Sequence, residues 1–106
     1  RRSSDLLNSW MREHLGEDLS IERLAAEAAM SPRNFARAYA SETGVTPAKA
    51  VERLRVEAAR AALAQGGAIQ DIARRTGFGD PERMRRAFVR LYGAPPAAMR
   101  RTLRPA

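Results

Sequence analysis

Apolar residues recur every three or four positions along almost the whole chain, and no stretch alternates them with polar residues as a half-buried strand would. The spacing predicts an all-α fold of seven helices. The first covers about Asp5–Leu15, with Leu6, Leu7, Trp10, Met11 and Leu15 on one face. The second, about Ile21–Ala28 after a Ser20 cap, turns Ile21, Leu24, Ala25 and Ala28 inward. A third, Pro32–Thr43, buries Phe35, Ala38 and Tyr39; a long fourth, Pro47–Gln65, buries Val51, Leu54, Ala58, Ala61 and Ala62. The fifth, about Ala68–Thr76, presents Ile69, Ile72 and Ala73, and the sixth, Pro81–Tyr92, presents Met84, Ala87, Phe88 and Leu91. A short seventh starts at Pro96 and includes Met99.

Proline and glycine set the boundaries. Ser31-Pro32, Thr46-Pro47 and Asp80-Pro81 each put an oxygen-bearing cap before a proline at the first helical position, where the missing N–H is harmless and the fixed φ suits a helix. Gly16, Gly44, Gly66, Gly77 and Gly93 stand where helices should stop, and are expected to take the left-handed conformation there.

The chain also repeats itself. Moved forward by 48 positions, Ile21 meets Ile69, Leu24 meets Ile72, Ala25 meets Ala73, Ala29 meets Gly77 and Met30 meets Phe78. One inserted residue, Gly79, changes the offset to 49. Then Ser31 meets Asp80, Pro32 meets Pro81, Phe35 meets Met84, Arg37 meets Arg86, Tyr39 meets Phe88, Gly44 meets Gly93 and Pro47 meets Pro96. Cap falls on cap, core on core and breaker on breaker, so one helix pair is present twice. Each copy is a short helix, a tight turn and a longer helix, the helix-turn-helix layout. The turn residue is Ala29 in one copy and Gly77 in the other. Alanine costs roughly 1 kcal/mol in the left-handed region, so the first turn is expected to be the less regular. The organisation expected is a single domain over 1–106: a first helix-turn-helix subdomain at 1–45, a bridging helix at 46–65 and a second subdomain at 66–106.

In this layout the second helix lies in the DNA major groove and its first turns reach base edges. The candidate base contacts are Arg33, Asn34, Ala36 and Arg37 in the first copy, and Glu82, Arg83 and Arg86 in the second. Arginine bonds guanine O6 and N7 together, asparagine bonds adenine, glutamate accepts from cytosine N4, and alanine leaves room for a thymine methyl. Glu82 is also placed to hold Arg86 one turn on. Phosphates are expected at the helix N-terminal amides near Ser31 and Asp80, and at Arg85 and Arg90. A bridging helix of about 19 residues measures ~29 Å at ~1.5 Å per residue, against ~34 Å per DNA turn, so one chain could read two successive grooves.

Charge supports an anionic partner. The chain has 106 residues, 19 basic and 12 acidic, and Lys49 is its single lysine. Residues 77–106 hold seven arginines against Asp80 and Glu82, while residues 1–76 hold twelve basic and ten acidic groups. With no cysteine, disulfides and thiolate metal sites are excluded, and no metal or cofactor is expected. His14 stands at a helix end, where a cation suits the dipole, and Trp10 and the methionines fall at core spacing. No acidic pair accompanies a base or nucleophile, so catalysis is not expected. Nothing reaches the ~20 apolar residues of a membrane span, and a soluble cytoplasmic protein is expected. The start at Arg1-Arg2 without a methionine suggests a piece of a longer protein. Arg100, Arg101 and Arg104 read either as contacts to a backbone or polymerase, or as a basic tail. A sequence-indifferent nucleic-acid binder and a module docking on RNA polymerase are the competing readings.

Gly77-Phe78, Phe88, Arg90, Gly93 and Pro96, with Leu24-Ala25, Met30-Ser31-Pro32, Phe35, Arg37 and Glu42-Thr43-Gly44, resemble the signature of the AraC/XylS family of bacterial regulators. The resemblance spans essentially the whole chain. It implies seven helices in two helix-turn-helix units bridged by a long helix, contacting double-stranded promoter DNA and often RNA polymerase. By matching positions it puts Arg33, Ala36 and Arg37, and Glu82, Arg83 and Arg86, where the family reads bases. The run from Gly77 to Phe88 is similar to one subgroup, whose members carry an N-terminal domain like the class I glutamine amidotransferases; sensing and dimerisation would belong to that part. Met99 before Arg100 and Met84 depart from the family pattern, and touch packing rather than DNA contacts.

Overall fold

A computed structural model describes residues 3–103, which form seven helices and no strand. They are α1 (Ser3–Glu13), α2 (Ile21–Glu27), α3 (Pro32–Thr43), α4 (Pro47–Ala64), α5 (Ile69–Arg75), α6 (Pro81–Tyr92) and α7 (Pro96–Leu103). Arg104 lies outside the described residues. The chain divides into two compact units at Leu54–Arg55, inside α4.

In the first unit α3 packs on both α2 and α1. Its buried residues include Met11, Leu15, Leu19, Leu24, Ala25, Phe35, Tyr39 and, from α4, Ala50, Val51 and Leu54. Two polar ties bind α1 to α3. The Tyr39 hydroxyl donates to Asn8 Oδ1 at 2.8 Å, and the Glu42 carboxylate accepts from the backbone N–H and the hydroxyl of Ser4 at 3.2 and 2.5 Å. Glu42 thereby caps a helix 38 residues away in sequence, satisfying an amide that the start of α1 leaves orphaned. That remote cap explains why α1 begins two residues before the expected Asp5. Its other end closes at Glu13, and Leu15 is buried beyond the helix.

In the second unit α6 packs on α5 and α7 around Val56, Ala59, Leu63, Ile72, Ala73, Phe78, Met84, Ala87 and Phe88, with Ile69, Met99 and Leu103 against the edge. Arg100 is half-buried, and its Nη2 donates to the Gly67 carbonyl. It fastens α7 to the turn before α5, so it is no frayed tail.

Several expected core positions are corrected. Leu6 is 61% exposed; it and Ala38 line an open groove with Leu7, Trp10 and Met30 and are not sealed into the core. Leu91 is 38% exposed and Ala61 is exposed, while Ala58 and Ala62 are half-buried. The error in α4 has one cause. Its buried positions run Pro47, Ala50, Val51, Leu54 in the first unit and Val56, Ala59, Leu63 in the second. The step from Leu54 to Val56 breaks the three-or-four spacing, so a single stripe extended through the helix misses the second core. Gly16 is not left-handed, whereas the inserted Gly79 is, at φ +92°.

Candidate nucleic-acid interface

The helices before the two candidate recognition helices, α3 and α6, are closed in the same way. After α2 the Met30 N–H donates to the Ala25 carbonyl at 2.9 Å and the Ala29 N–H to the Ala26 carbonyl at 3.0 Å. After α5 the Phe78 N–H donates to the Ala73 carbonyl at 3.0 Å and the Gly77 N–H to the Arg74 carbonyl at 3.2 Å. This six-to-one and five-to-two pairing is the Schellman closure, which needs a left-handed residue just past the helix end. Gly77 supplies it at φ +90°, and Ala29 at φ +57°, the one positive-φ residue other than glycine among those described. The strain expected at Ala29 is therefore present.

Each recognition helix then starts on its cap. Ser31 Oγ accepts from the Asn34 N–H at 3.2 Å, and the Asp80 carboxylate from the Arg83 N–H at 2.9 Å. Pro32 and Pro81 occupy the first helical position, and Gly44 and Gly93 end the helices at φ +82° and +78°. The side chains of Ser31 and Asp80 are thus spent on capping. Ser31 leaves the positive end of α3 uncompensated, whereas the Asp80 carboxylate offsets that of α6.

On α3, Arg33, Asn34 and Arg37 are exposed, and Arg37 Nη2 donates to Asn34 Oδ1 at 3.1 Å. Ala36, expected to face outward, is half-buried. On α6, Glu82, Arg83, Arg85, Arg86 and Arg90 are all exposed. Glu82 engages Arg85 with both oxygens: Arg85 Nε donates to Oε1 at 2.9 Å and Nη2 to Oε2 at 2.7 Å. Arg86, the partner expected for Glu82, is more distant, with Nε at 3.8 Å from Oε2. Arg83 Nε lies 3.8 Å from the Asp80 carboxylate. The hydrogen bond from Arg85 and the charges of Arg85 and Arg86 hold the Glu82 carboxyl below the usual range, and Glu82 pushes Arg85 up. The exposed Arg83 and Arg86 pairs, at 3.8 Å, are of a kind that competing partners displace easily, whereas the bidentate Glu82–Arg85 pair is the firmer one.

The charge is split as sharply as the geometry is shared. Residues 1–54 carry eight basic and eight acidic side chains, and residues 55–106 carry eleven and four. His14 stacks on Trp10 with ring centroids 4.2 Å apart and bonds the Trp10 carbonyl through Nδ1 at 2.7 Å, and the Arg23 guanidinium covers the same indole at 5.2 Å. This cluster braces the end of α1. Among the described residues no group of three or more His, Asp or Glu could hold a metal ion, and no helix is long and apolar enough to cross a membrane.

A family model described as a helix-turn-helix domain matches residues 24–102. The HTH-type transcriptional regulator Rv1931c of Mycobacterium tuberculosis is 46% identical over 82 residues, covering 76% of this chain and 32% of that protein. The HTH-type transcriptional activator RhaS of Escherichia coli is 32% identical over 97 residues, covering 91% of this chain and 35% of RhaS. The chain thus spans about a third of the length of these curated relatives. Among solved structures, the DNA-binding domain of the transcription factor AdpA, in complex with a target DNA, superposes with a TM-score of 0.87 at 36% identity, covering 92% of this chain and 89% of that one. With the family model matching most of the chain, the chain belongs to the family of AraC-type helix-turn-helix DNA-binding domains.

Proposed function

We propose that this chain is the sequence-specific DNA-binding output domain of a bacterial transcription regulator, with α3 and α6 entering successive major grooves of double-stranded promoter DNA. The observation that carries the reading is the duplicated Schellman turn, which sets two exposed, arginine-bearing helices on equivalent scaffolds. Arg33, Asn34, Ala36, Arg37, Glu82, Arg83 and Arg86 are the proposed base contacts. Arg85, Arg90 and the helix ends at Ser31 and Asp80 meet phosphates.

The relatives' greater length supports a further part outside this chain, and the run from Gly77 to Phe88 favours an amidotransferase-like sensing domain there. Its regulator would work in the cytoplasm as an activator, without enzymatic activity in this domain, and touch RNA polymerase once bound.

Selection of binding sites from a random DNA pool, followed by footprinting and titration at fixed salt, tests the proposal. A selected duplex is expected to bind at least ~10³-fold more tightly than random DNA. Equal affinity would leave only the sequence-indifferent binder that the basic second unit by itself would make.

A further inference from the structure

We infer that Glu82 sets how well α6 discriminates its site from random DNA, by clamping Arg85 until a matching base releases it. The inference rests on the reading of α6 as a DNA-reading helix and assigns to its one carboxylate a role against the wrong sequence.

Both oxygens of Glu82 are occupied by the Nε and Nη2 edge of Arg85, at 2.9 and 2.7 Å. That planar edge is the one an arginine offers bidentately to phosphate. While the clamp is shut, the cation is neutralised and its best donors are used. A phosphate approaching Arg85 must also approach Glu82 and is repelled. A cytosine N4 amino group is a donor, so it can take the carboxylate and free Arg85 for a neighbouring phosphate. The exchange conserves hydrogen bonds only where cytosine stands at the right place.

The clamp is peculiar to the second copy. At the 49-residue offset Glu82 corresponds to Arg33 and Arg85 to Ala36, so α3 has neither half of it. It also sits where it is most needed. The unit around α6 holds eleven basic against four acidic side chains, and unselective attraction to any duplex is strongest there. Asp80, the other carboxylate at this end of α6, accepts from the Arg83 amide and lies 3.8 Å from the Arg83 guanidinium, so it does not duplicate the Glu82 clamp on Arg85.

The test uses the full chain as wild type, Glu82→Gln, Arg85→Gln and the double variant. Each is titrated by fluorescence anisotropy against the selected duplex and a shuffled one over a salt series. Glu82 and Arg85 are exposed, so all four proteins should keep the wild-type circular dichroism spectrum. Freeing one arginine adds about one phosphate contact. Glu82→Gln should therefore tighten shuffled-duplex binding about eightfold at ~0.1 M salt and steepen the log–log salt slope by ~0.9. The selected duplex should gain less, so the specificity ratio falls. In the Arg85→Gln background the extra slope should vanish. An unchanged shuffled-duplex affinity and slope in Glu82→Gln, with wild-type discrimination intact, would overturn this inference alone. So would an equal gain in the Arg85→Gln background, because the carboxylate would then act without the clamp. A wild-type chain that does not prefer the selected duplex would overturn the parent reading, and this one with it.

Discussion

In the first helix pair the turn residue is an alanine held at φ +57°, and the residue after it, Met30, stays 40% exposed. In the second the turn residue is a glycine at φ +90°, and Phe78 after it is 8% exposed and part of the core. The six-to-one and five-to-two bonds are common to both turns, onto Ala25 in one and Ala73 in the other, and in the second the inserted Gly79 also donates to the Ala73 carbonyl, at 3.1 Å. What is duplicated is therefore the closure of the first helix of each pair, while the path into the second differs by the left-handed Gly79, at φ +92°. The seal over the turn, the helix-start caps and the charge were free to diverge. Ser20 caps α2 through the Arg23 amide, while Ala68 at the start of α5 has no side chain to offer. The first unit is electrically balanced, whereas the second carries the chain's whole basic excess. The net positive charge that attracts a polyanion therefore lies in the second unit.

The largest expected asymmetry is at the seal. Phe78→Ala should destabilise the fold by about 3–4 kcal/mol, the range for emptying a buried aromatic site, and Met30→Ala by less than about 1 kcal/mol. Denaturant unfolding of the two variants checks this, and similar losses would show that the turns are sealed alike. Next comes the position where Tyr39 faces Phe88 in the repeat. Tyr39→Phe removes the hydroxyl bond to Asn8 and should cost about 1 kcal/mol. Burial pushes the Tyr39 hydroxyl above its ordinary value of 10.0, and nearby Glu42 adds to the shift. The folded state thus favours the protonated phenol. That contribution to stability is intact below pH 10 and is lost as pH rises beyond it, and Tyr39→Phe should blunt this alkaline loss in pH-dependent unfolding. The smallest effect, and the most diagnostic of the shared turn, is reciprocal. Ala29→Gly should stabilise by about 0.5–1 kcal/mol and Gly77→Ala should destabilise by about 1 kcal/mol. Shifts of equal sign in thermal melts would contradict equivalent left-handed positions.

Much of this architecture was legible because its signals are local. Pro32, Pro47 and Pro81 mark helix starts, and Ser31, Thr46 and Asp80 before them cap the amides three residues on. Gly44 and Gly93 end α3 and α6 in the left-handed conformation. The repeat also exposed the strain at Ala29, since one copy displayed the glycine that the other lacks. The misreadings arose where a residue answers to something distant. The start of α1 depends on Glu42, and Arg100 is held by Gly67, 33 positions earlier. The stripe on α4 shifts because one helix serves two cores. Leu6 and Ala38 obey helical spacing yet line a groove that stays open. At the candidate site, the repeat located the exposed positions on α3 and α6 apart from Ala36, which is half-buried. It could not decide which arginine Glu82 holds, because three- and four-residue spacings are almost equivalent on a helix, and Arg85 rather than Arg86 makes the close bonds.

Base reading by both α3 and α6 is tested most directly by substituting the selected site one base pair at a time and titrating wild type, Arg37→Ala and Arg86→Ala. Each variant is expected to lose about 1–3 kcal/mol of binding to the selected duplex, and to flatten the preference over its own short run of bases while the other run keeps its own. Equal losses on selected and random DNA, or loss of preference at the same bases in both variants, would contradict it.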